Sequence, residues 1–277
     1  MDERRFGLGH SAFVRDIALD GCGRRMASCA EDCSVRVHKR HPNGYELIWE
    51  STLEFKPQKL AWSRVEYGAL LACAGGTSVV VFEEYRPAEF RIKFTHRVFK
   101  HSVTCLQFSP DGGGLIIGLE DGQVSELDLV LLLVRPLFQC HQQQPVSTLA
   151  VVGRGGRERV VVCGGGDSVQ VWVLGNERWR IQSPPLEHKG GVTCVAMGLW
   201  GMIASAGGDG ACRLWDVNAK GEYVLVQVLQ HDAPVASVLS CEWNTAGTML
   251  CTNADDSLCR LWAHNDLQGE WQLQVKM

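Results

Sequence analysis

The sequence predicts an all-β chain of six similar units, and three observations carry that prediction. One strand-like segment recurs six times: SVRVH at 34–38, VVVF at 79–82, VSEL at 124–127, VQVW at 169–172, and CRLW at 212–215 and again at 259–262. The segments end at His38, Phe82, Leu127, Trp172, Trp215 and Trp262, spaced by 44, 45, 45, 43 and 47 residues. Between them lie short β-rich runs parted by Asp-Gly or Gly-rich turns, and no stretch sustains a helical period. A constant period in this range marks a repeat architecture with several short strands per unit.

The third unit shows the internal grammar. VTCLQF (103–108) leads through the turn SPDGGG to LIIGL (115–119), then through Glu120-Asp121-Gly122 to VSEL. In VQVW, Val169 and Val171 share one face of a strand while Gln170 and Trp172 share the other. Arg91, Lys93, Arg97 and Lys100 read as an outer strand with a charged face, which discourages edge pairing. Approximate units are 9–50, 51–99, 100–140, 141–185, 186–230 and 231–277, together one domain over 1–277.

Other positions keep the same phase. An Asp stands three residues before a phased position of the third strand at Asp32/Val35, Asp121/Val124, Asp209/Cys212 and Asp256/Cys259, with Asp167 two residues before Val169. A Ser or Thr lies four residues ahead of that Asp at Ser28, Ser205 and Thr252. A histidine opens five units, as His10, His101, His141, His188 and His231. A buried imidazole, hydroxyl and indole N–H must find partners, and these residues supply one another. The pattern resembles the WD40 family of β-propellers, in which such residues form a hydrogen-bonded tetrad inside each blade. The fifth unit has all four as His188, Ser205, Asp209 and Trp215, and the sixth as His231, Thr252, Asp256 and Trp262. The first has His10, Ser28 and Asp32 with His38 in place of the Trp, while units two and three are degenerate.

Composition narrows the function classes. The chain has 277 residues, is 45% hydrophobic and carries a net charge of −4, so it has surface to bury and no basic field to hold a nucleic acid. The stretch GRGGRER (153–159) falls between the first two strands of unit four and reads as a solvated loop, because one short loop makes few phosphate contacts. The start, MDERRFGLGH, has no apolar core and does not read as a secretory signal. The longest aliphatic run, Leu129 to Val134, ends at Asp128 and Arg135, far short of the roughly 20 residues that cross a bilayer. No direct membrane insertion is therefore expected, and the chain is read as soluble and intracellular.

Twelve cysteines lie between Cys22 and Cys259 without a C-x-x-C pair, so they read as small buried hydrophobes rather than zinc ligands. No Gly-Lys pair, H-E-x-x-H or G-x-S-x-G occurs, and Gly164-Gly165-Gly166 sits where a strand–strand turn belongs. The five phased histidines have a repeated structural duty, whereas an active site needs one. The reading is non-enzymatic, with no cofactor, no metal and no nucleic acid.

A narrower resemblance follows from three stretches. D-x-x-GRRMASC-x-x-D-x-SVRV (Asp20 to Val37), AW-x-x-x-EYG-x-LLA with V-F-EE (Ala61 to Glu84), and WN-x-x-GT-x-L with DD and RLW (Trp243 to Trp262) are similar to the Seh-type nucleoporins. The likeness covers both ends of the chain well and its middle weakly. It implies an open six-bladed WD40 propeller whose gap takes a β-blade from a helical scaffold nucleoporin, in the Y-shaped coat of the nuclear pore. It also implies a possible second role in a GATOR-type nutrient-signalling complex at the lysosome or vacuole. The sister propeller of the COPII outer coat shares the architecture, so vesicle transport is one alternative; a closed, peptide-binding WD40 adaptor is the other. Only nine residues precede His10, too few to promise a strand lent to the last unit, and Trp271 to Val275 can supply that strand locally. Partner contacts are expected on the gap-flanking units, at Phe13 and Arg15 and at Trp243 and Trp271. Arg15 is chosen because an unpaired buried guanidinium is costly.

Overall fold

Short β-branched and aliphatic runs, each stopped by a turn, give six antiparallel sheets that follow one another along the chain. The computed structural model describes residues 7–97, 99–154, 158–175, 178–231, 237–265 and 268–277. The first sheet holds β1 (Val14–Leu19), β2 (Arg25–Ala30), β3 (Ser34–His41) and β4 (Gly44–Thr52). The second holds β5 (Lys59–Trp62), β6 (Leu70–Gly75), β7 (Ser78–Arg86) and β8 (Glu89–His96), and the third β9 (Val103–Phe108), β10 (Gly114–Leu119), β11 (Gln123–Asp128) and β12 (Leu133–Gln139). The fourth holds β13 (Thr148–Arg154), β14 (Glu158–Gly165), β15 (Ser168–Gly175), β16 (Arg178–Ile181) and β17 (Leu186–Glu187). The fifth holds β18 (Val192–Met197), β19 (Ile203–Gly207), β20 (Ala211–Val217) and β21 (Tyr223–Gln230). The sixth holds β22 (Val238–Trp243), β23 (Met249–Ala254), β24 (Cys259–Asn265) and β25 (Glu270–Lys276). This is the all-β, six-bladed propeller class.

Within each sheet the strands are consecutive, and among the described residues none is exchanged between sheets. The third unit folds as its sequence reads, and β8 pairs Arg91 and Lys93 with Glu83 on the neighbouring strand. The fourth blade departs from expectation. Its outer strand is two pieces, β16 and β17, both paired to β15, because Pro184-Pro185 offers no N–H to the ladder. The expected boundary at 185/186 therefore moves beyond Glu187. Part of the GRGGRER loop, residues 155–157, lies outside the described residues.

The repeat extends to its irregularities. A register shift falls between the third and fourth strands at His38, Phe82, Trp215 and Trp262, the residues that close the recurring segment. Bulges increase twist locally, so the same position bends the outer hairpin in each of these blades. Gly122 is another fixed point: its φ is +86°, and a Cβ there would overlap the carbonyl of His141.

The chain forms two compact units, Met1–Glu120 with Ser125–Pro136, and Asp121–Val124 with Leu137–Met277. In the first, β5 packs on β1 and β2, and β9 on β5 and β6. One core cluster joins Ala27, Val35 and Val37 of the first blade to Leu71, Val80 and Phe82 of the second. Another joins Ala72, Val79 and Val81 to Val103, Leu115 and Ile117. In the second unit, β18 packs on β13 and β14, and β22 on β18 and β19. Its clusters join Val160, Val162 and Val171 to Val195 and Ile203, and Ala204, Cys212 and Leu214 to Cys241 and Leu250.

Candidate partner interface

Polar clusters fix each blade internally and so decide which side chains remain to face outward. In the fifth blade His188 Nε2 lies 2.6 Å from Ser205 Oγ, and Trp215 Nε1 donates to the same oxygen at 2.7 Å. Arg213 stands between the imidazole and the carboxylate: Nη1 is 2.9 Å from His188 Nδ1, and Nη2 is 2.5 Å from Asp209 Oδ2. A guanidinium only donates, so Nδ1 accepts and the ring proton sits on Nε2, facing Ser205. Burial, with the Arg213 charge beside it, pushes His188 down to about 4. Burial raises the Asp209 carboxyl, but the Arg213 hydrogen bond and charge and the Ala211 N–H together outweigh it and leave the group below its ordinary range.

The sixth blade repeats the imidazole–hydroxyl–indole contacts and the Arg–Asp pair. His231 Nε2 lies 3.0 Å from Thr252 Oγ1, and Trp262 Nε1 donates to that oxygen at 2.9 Å. Arg260, 1% exposed, reaches Asp256 at 2.5 Å and holds that carboxyl at about 2. In the first blade His10 meets Ser28 at 2.9 Å and Ser34 at 2.8 Å, while Asp32 accepts from Ser34 and from the Ser11 N–H. His38, in the Trp position, is buried, and burial lowers its basicity with His10 and Arg36 adding to the effect.

Two corrections follow. The cluster contains an arginine that the four-residue pattern omits, and its signal is the D-x-x-x-R spacing at Asp209/Arg213 and Asp256/Arg260. Asp32/Arg36 has the same spacing, but Arg36 turns to Glu50 and the carbonyl of Leu8. The duty assigned to five histidines also fails for His101, which is exposed. In that blade Ile117 and Leu127 replace the hydroxyl and the indole and are wholly buried, so the two polar partners of the cluster are missing from the interior.

The sixth blade leaves one face half-exposed, whereas the first is open on one side of β1 alone, since β2 is buried from Met26 to Ala30. Central strands β6, β10 and β19 are buried at every residue, on both faces. In contrast, β23 alternates strictly: Leu250, Thr252 and Ala254 are buried, while Met249, Cys251 and Asn253 are half-exposed. The register continues that second face through Ser240, Cys259 and Leu261 to Val275, all half-exposed or exposed, and the first face is the one in the core with the fifth blade. On the first blade, Asp16 accepts the Leu60 N–H at 2.8 Å and the Ala18 carbonyl accepts from Trp62, so the even-numbered face of β1 meets the second blade. Ile17 and Leu19 point the other way and are exposed.

The expected contact residues divide against this geometry. Phe13, immediately before β1, is 79% exposed. Arg15 is the extra residue of a β1 bulge, is exposed, and pairs with Glu31 of its own blade, so its charge is met and the burial argument for it does not hold. Trp243 and Trp271 pack edge to face at 5.0 Å within the core shared with the fifth blade. They sit on the covered face of the sixth blade rather than the uncovered one; Trp243 also borders a recess of about 440 Å³ with Trp200 and His264. Sequence reading missed Ile17, Leu19, Leu261 and Val275, which alternation alone marks as one-face residues without saying which face is bare.

Six consecutive sheets of this kind, the fifth and sixth clamped by imidazole, hydroxyl and indole, define a WD40-type β-propeller. The WD40 family model (WD domain, G-beta repeat) matches residues 3–39, 92–125, 182–216 and 223–263, and the chain belongs to that family. It is also similar to the Protein SEC13 homolog of Drosophila melanogaster, 27% identical over 289 residues that cover 95% of this chain and 80% of that protein. The Protein SEC13 homolog of Caenorhabditis briggsae is 26% identical, covering 97% of this chain and 93% of that protein. The Protein transport protein sec13 of Aspergillus oryzae is 25% identical, covering 94% and 98%.

Proposed function

We propose that this chain is a non-enzymatic scaffold propeller of a coat-like transport assembly, whose end blades are covered by a β-blade from a helical partner. The uncovered second face of the sixth blade carries the reading, because a sheet with one half-exposed face has room for another sheet. The exposed Ile17 and Leu19 on the first blade support it, and the similarity to proteins named for protein transport gives the setting. Contacts are assigned to Phe13, Ile17 and Leu19, and to Leu239, Leu261 and Val275.

The test is co-expression with the helical coat subunits of the source organism, followed by size exclusion. One of them should form a stoichiometric complex, and Leu261→Glu with Val275→Glu should abolish it while leaving the fold intact. A chain that stays monomeric with every such subunit and captures short peptides would overturn the scaffold reading in favour of an adaptor.

Within this reading we favour the nuclear pore, on the wording of Asp20 to Val37 and of Glu83-Glu84; the relatives named for protein transport favour a vesicle coat. A fluorescent fusion separates the two: a nuclear rim supports the pore, puncta at the endoplasmic reticulum the vesicle coat, and lysosomal or vacuolar label a nutrient-signalling complex.

A further inference from the structure

Among the described residues, the longest contiguous run of exposed large apolar side chains lies at one hairpin. Val130, Leu131, Leu132 and Leu133 form the tip of the β11–β12 hairpin and are 81%, 65%, 43% and 61% exposed. The equivalent turns of the first and fifth blades carry Pro42-Asn43 and Asn218-Ala219-Lys220-Gly221-Glu222. A run of exposed aliphatics at a hairpin tip needs a cause outside the fold. Leu132 adds a second observation: its φ is +56°, the left-handed region that favours glycine. The chain keeps a leucine where a glycine would relax the turn, so exposure and backbone strain fall on one residue.

We propose that this tip inserts into the interfacial layer of a lipid bilayer and anchors the chain peripherally. Four adjacent aliphatic side chains are exposed together, whereas a protein groove that reads an extended segment takes alternate residues. Acyl chains accept all directions, and none of the four side chains carries a group that hydrocarbon would strand. The N–H groups of Val130 and Leu131 both donate to Asp128 Oδ1 at 2.9 Å, so the leading backbone donors are met internally. Leu129 donates to the Gly113 carbonyl at 3.0 Å, and the ring of Tyr67 lies against Gly112 in that same turn. An exposed, amphipathic aromatic therefore sits beside the tip, the residue type that favours the headgroup level. The run is too short to span, as its length first indicated, but insertion at the interface needs only this tip. Glu126 and Arg135 beside it pair with each other, so the attraction is apolar and neutral lipid suffices.

The test is flotation of the full chain with phosphatidylcholine vesicles at low and high salt. The protein should float at both, and Val130→Ser with Leu131→Ser should reduce the bound fraction about tenfold at an unchanged melting temperature. Leu132→Gly should melt at or above the wild-type temperature yet float less. Failure of the wild type to float, or equal flotation of the double variant, overturns the proposal. So does binding confined to anionic vesicles and lost at high salt, which is electrostatic adsorption. If vesicles are ignored while the double variant loses a co-expressed helical partner, the tip is a protein contact and membrane insertion is wrong.

Discussion

Replacing Ser205 with alanine isolates the hydrogen-bonded cluster from the packing around it. Ser205 is fully buried, and its oxygen accepts from both His188 Nε2 and Trp215 Nε1. The substitution removes one oxygen and strands two buried donors, each costing about 1–2 kcal/mol when left unmet. The expected loss is about 2–4 kcal/mol, large for one atom, in urea denaturation followed by far-ultraviolet circular dichroism. Trp215→Phe removes one of the stranded donors, so it should cost less in the Ser205→Ala background than in the wild type, with a coupling of about 1 kcal/mol. Ser183 supplies the contrast: it is equally buried, but its oxygen has no hydrogen-bond partner, and Ser183→Ala should be neutral or stabilising. A loss under about 0.5 kcal/mol for Ser205→Ala, or an additive cycle, would show that the cluster is packing with incidental polar atoms.

Three further outcomes follow from the same geometry. Burial holds His188 down to about 4 from 6.5, so the unfolded chain binds a proton that the folded chain refuses, and stability should fall as pH drops through that window. His38 and His96 are lowered as well and add to the slope, whereas His141 is raised and opposes it; the difference between wild type and His188→Gln, measured by denaturation across pH, isolates the one residue. Asp16 is raised by burial, so its ionised form is penalised in the folded state; Asp16→Asn keeps an acceptor for the Leu60 N–H and should raise the urea midpoint at pH 7, with the gain vanishing below pH 3.8. Phe82, 1% exposed and edge-on to Trp49 at 5.0 Å, should cost about 3–5 kcal/mol as Phe82→Ala, read in the same denaturation assay.

The blades were legible because a repeat makes the same physical demand many times. Val169 and Val171 can be placed inside from one strand, and the spacing of His38 to Trp262 then places five more. Legibility ended where the repeat gave way to single solutions. The split outer strand of the fourth blade depends on Pro184-Pro185, which occurs once. His101 keeps the phase of the buried histidines, yet its fate is set by Ile117 and Leu127 on other strands. Arg213 and Arg260 share a spacing with Arg36, but the first two turn to their aspartates and the third turns to Glu50. Trp243 and Trp271 failed for a related reason: size and aromaticity mark a residue that buries area well, and only the register tells which face of the sheet receives it.

For the proposed scaffold role, the half-exposed face of the sixth blade also bears on when a partner arrives. On the sixth blade Leu261 and Val275 are interleaved with Ser240, Asn253 and Cys259, and the last three bond among themselves, Asn253 Nδ2 to Ser240 at 3.1 Å and Cys259 Sγ to Asn253 Oδ1 at 2.6 Å. Obligate interfaces resemble a core cut in half and are mostly apolar, while interfaces between separately folded chains carry more polar groups. A face that satisfies its own polar atoms while displaying aliphatic ones belongs to the second kind. Under the proposed scaffold role, the chain completes its blades alone and accepts a further sheet afterwards. In that proposal Leu261 and Val275 provide the gain on docking, and the internal hydrogen bonds keep the half-exposed face stable in water.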